Sequence, residues 1–367
     1  MKVLIISPKN RTVYNFRGDL IKAMQEKNYE VIVTGPDRID ADKIEELGVK
    51  FHEIAVDKNG TSIIGNLKYM KTLLSLMKKE KPDVTLGYTV KPVVYGAIAA
   101  KLAGVKNINS MITGGGYTFV SKTLKAKVLG IIVRLLYRIG LCCSNHVIFQ
   151  NPDDMKEFLS LKMLNEKKCG LVNGSGVNLK RFEATPFPNR IRFLTISRLL
   201  KSKGVCEYLE AAKKVKEEYP DVEFGLLGKF ETAMQDGIPK EYIQPFIDSN
   251  VVTRYEETND VRPYYQQCSV YVLPSYREGT PRTVLEAMAC GRAIITTDAI
   301  GCRETVIDKY NGFLVPLKDI DTLADRMKWC INNPDEVQKM GKASLEYCRS
   351  KYDVDKVNKE MIRIMNM

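Results

Sequence analysis

Short apolar runs alternate with amphipathic stretches along almost the whole chain. Lys2–Pro8, Tyr29–Pro36, Val49–Val56, Pro82–Thr89, Asn107–Thr113, His146–Gln150 and Lys168–Asn173 have the length and branched aliphatic content of buried strands. Between them, Asn15–Asn28, Gly65–Lys81, Lys91–Gly104 and Lys122–Ser144 repeat apolar positions at the helical period. A break at Phe182–Asn189 carries Pro186 and Pro188, and strands are then predicted again at Arg192–Ser197, Val222–Gly228, Val251–Tyr255, Val270–Pro274, Ala293–Thr297 and Gly312–Val315. Near-continuous apolar strands separated by helices mean parallel sheets covered on both faces. The pattern predicts an α/β protein of two Rossmann-like domains, 1–185 and 186–349, with a C-terminal helix from about residue 350 crossing back to the first.

Length and composition agree with two cores, since 367 residues with 44% hydrophobic side chains exceed one ordinary domain. No stretch reaches the roughly 18 uncharged apolar residues of a spanning helix. Met1–Ile6 halts at Pro8 and reads as a first strand rather than a signal peptide. Nine cysteines without a CxxC pair read as reduced core thiols, which implies the cytoplasm.

Charge divides the chain. Residues 1–185 hold 29 Lys+Arg against 17 Asp+Glu, whereas residues 186–367 hold 27 of each. No acidic residue lies between Asp83 and Asp153, a gap with eight basic ones. One half therefore faces something negative. On a helical wheel of Lys122–Ser144, Leu124, Val128, Ile131, Leu135, Ile139 and Cys142 fall on one arc, and Lys127, Arg134 and Arg138 cluster beside it. Two readings stay open: a helix packed on its own sheet, or one leaning on an anionic membrane surface.

The second half holds the sharpest chemical signal. Val270–Pro274 runs into Ser275-Tyr276-Arg277-Glu278-Gly279-Thr280-Pro281, and a helix begins at the proline, with Glu286 inside it. The strand Arg192–Ser197 ends in Arg198, with Lys203-Gly204 one loop later. Ligands of parallel sheets sit at the carboxyl ends of strands, where helix N-termini favour phosphate. Two cations there neutralise a leaving diphosphate, the arginine as a planar fork and the lysine as a point charge. Two carboxylates there bond vicinal hydroxyls at two points of one ligand. Asp40-x-Asp42, Asp319-x-Asp321 and Asp353-x-Asp355 do not follow buried strands as a metal-binding pair would. They read as solvated faces, and His52 and His146 read as structural.

Arg198-x4-Lys203-Gly204 followed by Glu278-Gly279-x-Pro281-x4-Glu286-Ala287-Met288-Ala289-x-Gly291 resembles the retaining GT-B glycosyltransferases of family four. Asn173-Gly174-x-Gly176-Val177-Asn178-x3-Phe182 and Asn311-Gly312-Phe313-Leu314-Val315-Pro316 match further signatures of that family, in order, over about residues 1–330. The resemblance implies two Rossmann-like domains facing a cleft, and a sugar moved from a nucleotide-sugar, commonly a UDP-hexose or UDP-N-acetylhexosamine, without metal or cofactor. It implies that Arg198 and Lys203 grip the donor diphosphate and that Glu278 addresses the transferred sugar. It further implies that Glu286 holds the ribose, that Gly279, Thr280, Pro281 and Thr283 line sugar and diphosphate, and that the base lies near Arg254 and Tyr255.

In the first half, Asn15-Phe16-Arg17, Thr89-x-Lys91-Pro92 and Thr113-Gly114-Gly115-Gly116-Tyr117 are similar to a bacterial subgroup working on polyprenyl-diphosphate-linked sugars. That similarity implies acceptor contacts at Asn15, Arg17, Lys91, Thr113, Gly114, Gly115 and Gly116. A triple glycine reads equally as a tight strand-to-helix turn. The expected partners are thus a nucleotide-sugar, a lipid-linked glycan and an anionic membrane surface, at the inner face of the membrane. Two other functions compete. A nucleotide-sugar epimerase on the same fold would need more histidines and acids than two unpaired His offer. A nucleic-acid-binding protein would use the basic half, but no recognisable module accompanies the charge, and no nucleic acid is expected as a partner.

Overall fold

The computed structural model describes residues 1–57, 62–114 and 124–367, with the backbone alone for 124–129. The chain forms two compact units: residues 1–175 with 354–367, and residues 176–353.

The strands of the first unit are β1 (Lys2–Ile6), β2 (Glu30–Gly35), β3 (Lys50–Glu53), β4 (Val84–Tyr88), β5 (Asn107–Ile112), β6 (His146–Phe149) and β7 (Cys169–Leu171). Among the described residues they make one sheet in the order β3-β2-β1-β4-β5-β6-β7, with every pairing parallel. The helices are α1 (Asn10–Phe16), α2 (Gly18–Glu26), α3 (Ala41–Glu45), α4 (Ile63–Glu80), α5 (Ala97–Ala103), α6 (Leu124–Cys143) and α7 (Pro152–Ser160). Alternation along β1 sends Val3 and Ile5 to one face, against Leu20, Ile21 and Met24 of α2. Leu4 and Ile6 go to the other, with Tyr69, Leu73 and Met77 of α4 and the alanines of α5. Both faces are buried, which is why these strands read as unbroken apolar runs.

The second unit repeats the plan with β8 (Arg192–Ile196), β9 (Glu223–Leu227), β10 (Thr253–Tyr255), β11 (Val270–Leu273), β12 (Ala293–Thr297) and β13 (Gly312–Val315). Their order is β10-β9-β8-β11-β12-β13, again all parallel. Its helices are α8 (Val205–Lys216), α9 (Lys240–Asp248), α10 (Arg262–Gln267), α11 (Arg282–Ala289), α12 (Ile320–Asn332) and α13 (Pro334–Lys351). The final helix, α14 (Val354–Ile364), returns to the first unit and packs Val357, Met361 and Ile362 beside α2.

Three placements differ from the sequence reading. The units divide at residue 175 rather than 185, because Val177 and Phe182 are buried in the second core. The Pro186 segment is fixed there as well: the fully buried Arg292 donates to the Pro186 carbonyl (3.2 Å), the Thr185 hydroxyl and the Tyr265 carbonyl (2.9 Å). The helix expected over Asn15–Asn28 is two helices, broken where Arg17 leaves helical geometry (φ −126°, ψ −5°). His52 is not unpaired, for its Nε2 lies 3.2 Å from Glu80 Oε1, and His146 Nε2 lies 3.0 Å from Asn366 Nδ2. Among the described residues no helix is long and apolar enough to cross a membrane, and all nine cysteines are free thiols.

Candidate functional site

The sequence-predicted donor residues of the second unit lie on the loops after β8 and β11, in α11 and at the end of β10. After β8 the chain passes Arg198, makes a tight turn at Lys201–Lys203 and enters α8 through Gly204. Gly204 has φ +70°, and a Cβ there would lie 2.0 Å from the Pro274 carbonyl oxygen. Only glycine lets this turn meet the loop that leaves β11. The two loops are then stitched together. Tyr276 N–H donates to the Ser202 carbonyl (2.9 Å), the Tyr276 hydroxyl donates to Glu207 Oε1 (2.5 Å), and the Ser202 hydroxyl donates to Asp236. From β12 the Thr297 hydroxyl donates to the Ser275 carbonyl, and Glu278 N–H donates to the Ile300 carbonyl (2.9 Å).

This bracing brings Lys203 Nζ to 2.5 Å from Glu278 Oε1, with side chains 20% and 14% exposed. The residues assigned to diphosphate and sugar thus form one largely buried ion pair. Arg198 stands apart from it. Its side chain is exposed, with Nη1 3.4 Å from Met234 Sδ, and among the described residues no carboxylate pairs it. Gly279, Thr280 and the buried Pro281 form the turn into α11, where Pro281 is the N-cap rather than the first helical residue. Thr283 follows in the first helical turn.

Glu286 lies one turn further on. Tyr265 shares its hydroxyl proton between Glu286 Oε2 (3.1 Å) and the Thr283 carbonyl (3.0 Å), and Arg282 Nε is 3.3 Å from Oε1. Burial pushes the Glu286 carboxyl above its ordinary value, while Arg282, the Tyr265 hydroxyl and Arg181 pull it back. Arg282 and Tyr265 were missed from sequence. The i,i+4 spacing of Arg282 and Glu286 on one helix was the available signal; the Tyr265 contact comes from another helix and has none.

Arg254 also faces the loop after β9. Its guanidinium lies over the Phe230 ring (4.6 Å), pairs with Glu256 and donates to the Gly228 carbonyl (3.4 Å). The Tyr255 ring turns away from the strand ends instead, onto Tyr264 (4.8 Å) and beside Gly225, with Glu223 and Arg192 in electrostatic reach. Its main-chain carbonyl accepts from Gly228 N–H (3.4 Å).

The first unit's predicted residues are less concentrated. Arg17 is buried rather than presented: Nη1 donates to Ser175 Oγ (3.0 Å), Nη2 lies 2.9 Å from Met111 Sδ, and the guanidinium covers the Tyr88 ring at 5.1 Å. Asn15 is half-buried on α1. Lys91 follows β4, just after Thr89, whose φ of +69° is a strained conformation of the kind that collects at functional loops. Lys91 Nζ donates to the Asp57 carbonyl, and burial lowers its pKa. Thr113 and Gly114, half-buried, follow β5, whereas Gly115 and Gly116 lie outside the described residues.

On α6, Arg134 and Arg138 are exposed, and the Lys127 side chain lies outside the described residues. Arg138 is already committed, donating to the Leu161 (3.2 Å) and Lys162 (3.0 Å) carbonyls after α7.

With this geometry in view, residues 177–347 match the family model described as glycosyl transferases group 1, and residues 2–151 match glycosyl transferase 4-like. The chain is 28% identical over 345 residues to the N,N'-diacetylbacillosaminyl-diphospho-undecaprenol alpha-1,3-N-acetylgalactosaminyltransferase of Campylobacter jejuni, covering 89% of this chain and 88% of that one. It is 25% identical over 280 residues to the UDP-Gal:alpha-D-GlcNAc-diphosphoundecaprenol alpha-1,3-galactosyltransferase of Escherichia coli, covering 72% and 70%. In fold it is similar to Anabaena Alr3699/HepE, solved in complex with UDP, with a TM-score of 0.81 at 16% identity over 100% of both chains.

Proposed function

The chain belongs to the glycosyltransferases, with a 4-like first half and a group 1 second half, and from that premise we propose that it moves a hexose or N-acetylhexosamine from a UDP-sugar to a polyprenyl-diphosphate-linked glycan with retention of anomeric configuration. The observation that carries this reading is the buried Lys203–Glu278 pair, held at the strand ends by two interlocked loops. A donor with its diphosphate at Lys203 and its sugar hydroxyls at Glu278 replaces one internal ion pair by two contacts to the ligand. Arg198, exposed earlier on the same loop as Lys203, adds the second cation. Glu286, kept oriented by Arg282 and Tyr265, accepts from the ribose hydroxyls.

In this scheme the bond from the sugar's anomeric carbon to the diphosphate oxygen breaks, and a bond from that carbon to the acceptor oxygen forms on the same face. The acceptor's proton passes to the departing phosphate oxygen. No protein nucleophile takes part, and the two cations stabilise the charge that develops on the diphosphate without a metal. The acceptor class is supported by the two relatives whose names carry diphospho-undecaprenol substrates and an alpha-1,3 linkage. Such an acceptor is confined to a bilayer, so the enzyme works peripherally at its cytoplasmic face.

The test is a thermal-shift screen against UDP-, GDP- and ADP-sugars, followed by transfer to a synthetic polyprenyl-diphosphate N-acetylhexosamine. UDP-sugars should raise Tm by mass action and label the lipid product. Stabilisation by GDP- or ADP-sugars alone, or release of free sugar with no lipid product, would overturn the reading.

A further inference from the structure

The helices α4, α5 and α6 pack side by side over one face of the first sheet. Together they contain a single carboxylate, Glu80. It is buried at the end of α4, 2.7 Å from Lys50 and 3.2 Å from His52. The outward side of the layer is aliphatic. Ile63 and Ile64 of α4 are 76% and 82% exposed, and Leu67 follows one turn on. Leu102 projects from α5, and Ile131, Ile132, Leu135 and Ile139 from α6. Gly140 explains how α6 is apolar on two sides. A Cβ there would lie 2.7 Å from Val94 Cα, so α6 crosses the 93–94 backbone closely with Gly140, Tyr137 and Leu141 inward, leaving its isoleucines outward.

One exposed aliphatic residue is ordinary; eight on three adjoining helices are not. Lys68, Lys71, Lys101 and Arg134 are exposed on the same helices. These three helices carry no exposed carboxylate, so a second copy of this chain docked on them by two-fold symmetry would set cations against cations. A uniformly anionic surface with an apolar interior answers both features at once.

We infer that the outer surface of α4, α5 and α6 is a docking face for an anionic lipid bilayer, with Ile63, Ile64 and Leu67 of α4 entering the acyl boundary beside Ile131, Leu135 and Ile139 of α6. The face thus has two insertion points on separate helices, and lysines of α4 and α5 share the headgroup contacts with Arg134. It deepens the reading of a lipid-linked acceptor and rests on it, but its test uses neither donor nor acceptor.

The full chain is co-sedimented with phosphatidylcholine vesicles and with vesicles that also contain phosphatidylglycerol. Wild type should favour the anionic vesicles, and rising salt should reduce the preference. Ile63→Ser/Ile64→Ser/Leu67→Ser should weaken binding to anionic vesicles at least about tenfold. Lys68→Gln/Lys71→Gln/Lys101→Gln should abolish the preference for anionic lipid. All six positions are exposed, and a melting scan checks that the fold is kept. Absence of vesicle binding by wild type, undiminished binding by the aliphatic variant, or a dimer that the aliphatic variant dissolves would overturn the docking face. Transfer in detergent separates the two readings: a chain that binds vesicles but never labels the lipid acceptor retains this face and loses the acceptor assignment.

Discussion

The two units share one plan and use it differently. In the second, the loops at the carboxyl ends of the strands are tied to one another by Lys203–Glu278, Ser202–Asp236, Tyr276–Glu207 and Thr297–Ser275. In the first, the corresponding loops hold a strained Thr89 and the turn at Gly114, and the helices behind them leave a row of aliphatic side chains in water. Chemistry that must meet developing charge needs groups fixed in advance. A surface that meets a lipid needs exposure and one sign of charge. The same fold supplies the first by cross-bracing loops and the second by leaving helix faces uncovered.

The contrast is broken most severely by removing a cation. Arg198→Ala and Lys203→Ala should each cut turnover on the order of 10²–10³-fold, with or without EDTA, measured as initial rates beside a melting scan. Arg198→Ala should leave the melt unchanged, because that side chain is exposed; near-normal rates in both variants would move the diphosphate site elsewhere.

Next in size is the carboxylate of α11. Glu286→Ala should weaken UDP binding by about 10- to 100-fold, the worth of hydrogen bonds to a charged group, with less effect on kcat. Because burial raises the Glu286 pKa, UDP affinity should fall with decreasing pH at a midpoint above the ordinary carboxylate range. Arg282→Met removes an opposing positive charge and should shift that midpoint higher still; calorimetric titrations across pH read both. The sign for stability is the reverse. Between its ordinary and raised values the folded chain keeps a proton that the unfolded chain has lost, so this group's contribution declines as pH rises through that window.

A smaller contrast compares two glycines of like geometry. Gly204→Ala should cost about 1–3 kcal/mol for its positive φ, and more for the clash with Pro274. Gly104→Ala in the first unit, at φ +78° with nothing within 4 Å of its would-be Cβ, should cost only the lower end of that range, about 1 kcal/mol. Urea midpoints distinguish them. Smallest of all, Ile131→Ser on the exposed face of α6 should change stability by no more than about 0.5 kcal/mol, whereas a larger loss would mean that this residue is part of the core.

How much of this was legible beforehand follows the physics of each feature. The strands were, because a parallel strand buried on both faces leaves a run that water cannot interrupt. The placement of Arg198, Lys203, Glu278 and Glu286 was, because each stands at a strand end or in the helix that follows. Arg17 was misplaced because nothing local shows a cation turning inward under Tyr88. The 175/176 division was missed because Arg292, more than a hundred residues away, anchors the proline segment that looks like a linker. The α6 wheel found the apolar arc, but which side faces the sheet is decided by the contact of Gly140 with Val94.

We propose retaining transfer by a donor site built on the braced loops of the second unit. It is met most directly by determining the anomeric configuration of the new glycosidic bond by NMR, for product made by wild type from a UDP-sugar and a polyprenyl-diphosphate-linked acceptor in EDTA. Product should form at a rate undiminished by the chelator, with the donor's configuration kept. An inverted linkage, or no product until a divalent metal is restored, would contradict it.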